Sequence, residues 1–143
     1  MLKRLMSTTD DVSITVVRVM LGLVMFPHGA QKVLGWFGGY GFGPTYAAFT
    51  GQMGIPAPFA LIAFAAEFLG AIGLVVGLLG RVAAFGMLSL MLVAAGMVHL
   101  QHGFFMNWTG TQPGEGFEFH LLAGAMALAG MIKGSGAFSL DGI

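Results

Sequence analysis

The stretch that decides the fold is Ala57–Leu79, APFALIAFAAEFLGAIGLVVGLL. One ionisable side chain, Glu67, interrupts an apolar run long enough for the roughly 20 residues a helix needs to cross a bilayer. The run lacks the alternation of a half-buried strand, and barrel segments are shorter, about 10 residues each. Three more apolar stretches surround it: about Val12 to Leu34, about Val82 to Phe105, and about Phe117 to Ile132, the shortest. Gly80-Arg81 leaves only a tight turn between the second and the third. The reading is a single all-α domain over residues 1–143, an integral membrane four-helix bundle.

Composition points the same way. Of 143 residues, 57% are hydrophobic and 8% charged, with a mean hydropathy of +0.87. Soluble domains carry about 25% charged residues to cover their water-facing surface. Six basic and six acidic residues cannot do that for a chain of this length. Net charge is zero, so nucleic acid is excluded as a partner on electrostatic grounds. Cys is absent, which removes disulfides, thiolate metal ligands and a dithiol redox pair. Redox chemistry would then need a bound cofactor or a partner protein.

Basic residues set the expected orientation. Lys3 and Arg4 precede the first span, Arg81 sits between the second and third, and Lys133 follows the fourth. The opposite loops, about Gly35–Pro56 and Met106–Gly116, hold no Lys or Arg. Both termini are expected in the cytoplasm, with Lys32 the one basic residue near the outer side. Ser7-Thr8-Thr9-Asp10-Asp11 separates Lys3-Arg4 from the apolar run, and no small-residue cleavage site follows it. The first segment therefore reads as a retained span.

The first outer loop, Gly35-Trp36-Phe37-Gly38-Gly39-Tyr40-Gly41-Phe42-Gly43-Pro44, is aromatic and Gly-rich rather than charged. Trp and Tyr favour the headgroup zone, so this segment is expected in the outer interface, as an anchor or as a lid, with Trp108 in the same belt. It contains Gly39-x-Gly41-x-Gly43, but no strand precedes it and no Lys-Ser/Thr follows, so it carries no nucleotide signal. Small residues are where membrane helices approach closely. Span two offers Ala66, Gly70, Gly73 and Gly77; span four offers Ala123, Gly124, Ala127 and Gly130.

Ionisable groups within spans are costly and usually face the interior or mark a pathway. Span one carries Arg18, His28 and Lys32; at 100° per residue, Arg18 and Lys32 lie about 40° apart and His28 about 80° from Arg18. Gly22, Met25 and Gly29 fill the same stripe. Span two carries Glu67, span three His99 and His102, and the mouth of span four Glu115, Glu118 and His120. With the orientation above, His28, Lys32, His99, His102, Glu118 and His120 share the outer half, with Glu67 beneath them. Arg18 and Arg81 read as snorkelling anchors of the inner leaflet.

Three readings of this layer stay open. It is a satisfied polar network that fixes helix register, a metal or haem site, or a pocket for a small carbonyl-bearing molecule such as a quinone. The pair His99-x-x-His102 is not the Glu-x-x-His motif of helical carboxylate sites, which leaves no assigned metal ligand. In the quinone reading His and Lys donate to carbonyl oxygens, Glu67 relays protons and Phe, Trp and Met supply apolar walls. Histidine protonates near neutral pH, which suits proton-coupled electron transfer.

In order along the chain stand Arg18-x-x-x-Gly22, His28-Gly29-x-x-Lys32, Gly54-Ile55-Pro56, Glu67-x-x-Gly70, Gly77-Leu78, Arg81, His99, Gly103-Phe104 and Glu118. Gly134-x-Gly136-x-x-Ser139-Leu140-Asp141 closes the set. In these elements the chain resembles the DoxX family of small four-helix bacterial membrane proteins. The resemblance implies the bacterial cytoplasmic (inner) membrane and an association with redox systems. Some relatives look like subunits of a thiosulfate:quinone oxidoreductase, and others resemble anchors of an oxidative-stress complex. Without Cys, this chain itself forms no thiosulfonate or disulfide intermediate.

The expectation taken forward is a membrane component of a redox-associated system, with enzymatic turnover left undetermined. It binds a quinone-like molecule through His28, Lys32, Glu67, His99 and Glu118, with Arg18, His102 and His120 as further candidates. The alternative is a non-catalytic anchor for oxidative-stress or respiratory enzymes. A small transporter is the third class, disfavoured by four spans without a clear inverted repeat. Expected partners are the lipid bilayer, redox enzyme subunits and further copies of the chain.

Overall fold

A computed structural model describes residues 2–143, which fold as helices joined by short irregular segments. Helix α1 (Leu2–Leu5) precedes α2 (Val12–Val33), which starts where the Asp11 carboxylate accepts the Ser13 N–H at 2.8 Å. That contact satisfies one of the free donors of a helix start. Helix α4 (Ala57–Val76) begins after Pro56 and ends at Gly77, whose φ of 70° and ψ of 42° let its N–H turn back to the Gly73 carbonyl. Helix α5 (Gly80–Ala94) continues through a π turn (Ala95–His99) and a 3-10 turn (Leu100–His102). Helix α6 is Glu118–Lys133.

Three of these rods, Val12–Val33, Ala57–Val76 and Gly80–His102, are long and apolar enough to cross a membrane. At 16 residues, α6 is about 24 Å long, short of a hydrocarbon core of about 30 Å. The Gly- and aromatic-rich loop differs from expectation, because Phe42–Ala47 is helical (α3) and runs on as a π turn to Gln52. Pro44 lies in its first turn, where the missing N–H costs no hydrogen bond. Phe42 and Phe49 set this segment on α4 through Phe64, with ring centroids 5.7 and 5.0 Å away.

Helix α2 packs on α4, α4 on α5, α5 on α6, and α6 returns to α2. The contacts run through small residues. A Cβ at Gly22 would stand 2.7 Å from the Ala71 carbonyl oxygen, and one at Gly29 2.7 Å from the Phe68 Cα. The centre is made of Leu21, Met25, Ala71, Leu74, Ala84, Met87, Met91, Ala123 and Ala127. Larger side chains such as Val16, Leu23, Ile62, Leu69, Phe85 and Leu92 point outward. This distribution suits a chain surrounded by acyl tails, where packing rather than apolar burial joins the helices.

Both described ends of the chain and the α4–α5 turn meet at one end of the molecule, and polar groups lock them there. Arg18 is 2% exposed, so it is no snorkelling anchor. Its Nη1 donates to the Leu74 and Val75 carbonyls, each at 2.7 Å, in the last turn of α4. Nη2 donates to Ala137 and Phe138 at 3.3 and 2.7 Å, and Nε to Ser135. A helix C-terminus carries unpaired carbonyls and partial negative charge, so a cation there answers both. Asp141 does the reverse for α5, its two carboxylate oxygens accepting the Leu79 and Gly80 N–H groups at 2.7 and 2.8 Å. Ser135 Oγ donates to the same carboxylate at 2.6 Å. Arg81 is also no free anchor: it donates to Met131 and Ile132 at the end of α6 and to Ser7.

Two substitutions read these features. Arg18→Lys offers three donors where five carbonyls are now served, so thermal or denaturant unfolding in detergent should show a loss of about 3 kcal/mol. Gly29→Ala should cost about 1–3 kcal/mol by pushing α2 off α4. Gly70→Ala, whose Cβ would find its nearest neighbour at 3.8 Å, should leave stability unchanged or raise it.

Candidate functional site

The approach of α2 to α4 at Gly29 has a direct chemical result at the other end of the molecule. Three residues on, Lys32 leaves α2 on the same face, and its Nζ donates to Glu67 Oε1 at 2.8 Å. This is the only ion pair among the described residues. The lysine side chain is 26% exposed and the carboxylate 7%, so the pair is reached from the lysine side. Nζ also lies 3.4 Å from the His28 carbonyl on its own helix.

Beside the pair is a groove of about 230 Å³ lined by Gln31, Lys32, Gly38, Gly39, Tyr40 and Thr45. Its outer wall is the loop after α2, which folds back over the helix end. The Gly41 N–H donates to the Gln31 carbonyl at 3.1 Å, and Gln31 Nε2 donates to the Phe37 carbonyl at 3.1 Å. A larger hollow, about 690 Å³, lies at the opposite end around Thr8, Asp10, Gly136, Phe138 and Leu140 and holds no residue of the expected layer.

The histidines and remaining glutamates form a second group between the end of α5, the start of α6 and the segment joining them. The His99 and His120 rings face each other with centroids 4.1 Å apart. His99 Nδ1 lies 2.9 Å from the Glu115 carbonyl, and a carbonyl only accepts, so that nitrogen carries the proton. His120 Nδ1 is shut off from solvent without a hydrogen-bond partner. Phe119 lies between His28 and His120, 6.2 Å from the first ring and 5.6 Å from the second, and His28 is exposed. His102 packs on Gly114, where a Cβ would come within 2.5 Å of its Nε2.

Glu118 holds the connecting segment. Its Oε1 accepts the Met106 N–H at 3.0 Å and the Trp108 indole N–H at 2.8 Å, while Glu115 accepts the Asn107 N–H. Backbone bonds from Gly116, Phe117 and Glu118 to Phe105, Gly103 and Phe104 close the same segment. Thus the structure brings Lys32 to Glu67 and His99 to His120, but commits Glu118 to a loop. Arg18 lies fourteen positions before Lys32 on α2, about 21 Å along the axis, in the clasp at the other end. Among the described residues, no group of three or more His, Asp or Glu side chains is disposed to hold a metal ion.

Gln31, Gly39 and Thr45 are groove residues that the charge pattern does not mark. The signal for them is the glycine run directly after Lys32, which lets backbone lie on backbone: a Cβ at Gly39 would stand 2.3 Å from the Gln31 carbonyl oxygen.

The sequence model of the DoxX family matches residues 13–100. The chain belongs to the DoxX family. The match runs from Ser13 at the start of α2 to Leu100, two residues short of the end of the α5 rod, and takes in Arg18, His28, Lys32, Glu67 and His99. His102, Glu118, His120 and Asp141 lie beyond the matched DoxX segment. No curated protein and no solved structure matches the chain.

Removing one half of the ion pair should separate its two members. Lys32→Met leaves a buried carboxylate unpaired and should lower unfolding stability by about 1–3 kcal/mol, a range discounted for the lysine's exposure. Glu67→Gln still offers an acceptor to Lys32 and should cost less. The double variant should recover part of the Lys32→Met loss, giving a measurable coupling in a double-mutant cycle.

Proposed function

We propose that this DoxX-family chain is the membrane component of a redox-associated system and holds the head group of a quinone-like molecule beside Lys32 and Glu67. The observation that carries the reading is the groove itself, whose Lys32 is already paired to a carboxylate at 2.8 Å. At about 230 Å³ the space suits one ring and falls below the 300–1,000 Å³ of pockets for larger ligands. Lys32 has three N–H donors and directs one to Glu67 and a longer one to the His28 carbonyl, which leaves one for a carbonyl oxygen. Glu67, adjacent to the same ammonium, is placed to pass a proton to or from it. In this reading His28 and His99 exchange protons towards the outer face, while Glu118 acts by fixing the loop.

The membrane arrangement belongs to the same proposal. All four long helices cross the bacterial inner membrane as a bundle with both termini cytoplasmic. Lys3, Arg4, Arg81 and Lys133 lie at the end where the termini and the α4–α5 turn meet, which supports this orientation. Local thinning of the bilayer accommodates the shorter α6.

A second reading is a non-catalytic partner that assembles respiratory or oxidative-stress enzymes. It draws on the structural employment of Arg18, Arg81, Asp141 and Glu118, each fully engaged inside the fold. Purification in mild detergent followed by solvent extraction discriminates the two. The quinone reading expects extractable quinone with the wild-type protein and about tenfold less with Lys32→Met, the share of one charge-assisted hydrogen bond. No quinone in the wild-type extract, with melting unchanged when one is added, overturns it. The assembly reading then expects partner enzymes to co-purify equally with wild type and Lys32→Met.

A further inference from the structure

One residue joins both walls of the groove without carrying charge. Gln31 precedes Lys32 in the last turns of α2, so its backbone belongs to the helix wall. Its side chain and carbonyl reach the opposite wall. Nε2 donates to the Phe37 carbonyl at 3.1 Å, and its carbonyl accepts the Gly41 N–H at 3.1 Å. Between these two ties, Gly39 lies so close that an added Cβ would meet the Gln31 Cα at 2.4 Å. Gly39 is outside the left-handed region, so its need for glycine is one of space alone. The loop itself has no core of its own. Trp36, Phe37, Gly38 and Tyr40 are all exposed. The Trp36 N–H bond to the Ala30 carbonyl, at 3.4 Å, ties the start of the loop to α2, and Phe42 follows its far end onto α4. Between these, the loop is held over α2 by its contacts with Gln31 and the turn bond from Gly39 to Trp36.

We infer that Gln31 is the positioning residue of this groove, holding Gly38–Tyr40 over α2 so that a single ring is confined between the loop and Lys32. The inference rests on the quinone reading for the ligand, but its hold on the loop is measured separately. The chemistry of the lining defines the ligand further. Lys32, Tyr40 and Thr45 supply hydrogen-bond donors, and Gln31 with the backbone of Gly38 and Gly39 completes the lining. A flat ring bearing oxygen acceptors satisfies the donors of such a lining. A space of about 230 Å³ holds one ring, so the tail of a membrane quinone would extend beyond it, among lipids.

The test uses the whole chain in detergent micelles, with duroquinone, a tail-free ring, as the probe. Binding is read as quenching of Trp36 fluorescence in a Trp108→Phe background. Loop closure is read as hydrogen exchange at the Gly39 and Gly41 amides. In Gln31→Leu we expect both amides to exchange about tenfold faster and duroquinone to bind about tenfold more weakly, the scale of one lost hydrogen bond. The unfolding temperature should stay at the wild-type value, because the Arg18 clasp and the α2–α4 seam are untouched. Gly39→Ala should reproduce both changes while leaving the Gln31 side chain intact. Unchanged exchange and unchanged affinity in both variants overturn the inference. Faster exchange in Gln31→Leu, with no saturable quenching in the Trp108→Phe parent, overturns the quinone reading but supports the role of Gln31 in holding the loop. A fall in unfolding temperature that accounts for both changes would make Gln31 a general stability residue and overturn its positioning role.

Discussion

A guanidinium buried at one end of α2 organises that whole end of the molecule. Inside a bilayer no water is present to satisfy a stray carbonyl, and each one left alone costs several kcal/mol. Arg18 gathers five of them from the end of α4 and from the chain that follows α6. Its charge faces no carboxylate within ion-pair distance. Carbonyl dipoles and the negative end of α4 answer it instead. Removing the segment after Gly134 would therefore take away more than a tail, because the arginine would lose three of its acceptors.

The same stripe of α2 that carries Arg18 also sets the distance to α4. Gly22 and Gly29 are seven residues apart, nearly two turns, and each accepts the backbone of α4 where a methyl group would stand. Met25 fills the space between them. Lys32 continues the stripe and meets Glu67 because the helices are already in contact at Gly29. A lysine on a helix held farther away would have to extend across lipid or reach solvent. The ion pair is a consequence of glycine packing as much as of charge attraction.

Much of this was legible in the sequence. Apolar runs located the three long rods to within a few residues, and the glycine and alanine pattern marked the helix contacts. The outer-half layer expected from depth included both Lys32 and Glu67, but did not tell which of its members would pair. Three further features were not legible. Arg18 read as a snorkelling anchor because its acceptors are backbone carbonyls, which leave no mark in side-chain pattern. Asp141 caps α5 from a segment more than sixty residues later, a relation no local signal records. Helix α3 was hidden by the glycines and the proline around it, and the aromatic contacts of Phe42 and Phe49 with Phe64 settle its helical state.

The charges divide by the work they do inside the fold. Arg18 caps α4, Arg81 caps α6, Asp141 caps α5, and Glu118 holds the segment that leads into α6. Each closes backbone groups that helix ends leave open, and any polar residue of suitable reach could be selected for that purpose. Lys32 and Glu67 are joined chiefly to each other, and the one backbone group they reach is the His28 carbonyl, 3.4 Å from Nζ. Apolar residues of similar volume at both positions would pack the seam at no electrostatic cost, since a buried pair is weak support for stability. The pair is thus set apart from the capping charges: it joins two side chains across the α2–α4 seam rather than closing a helix end.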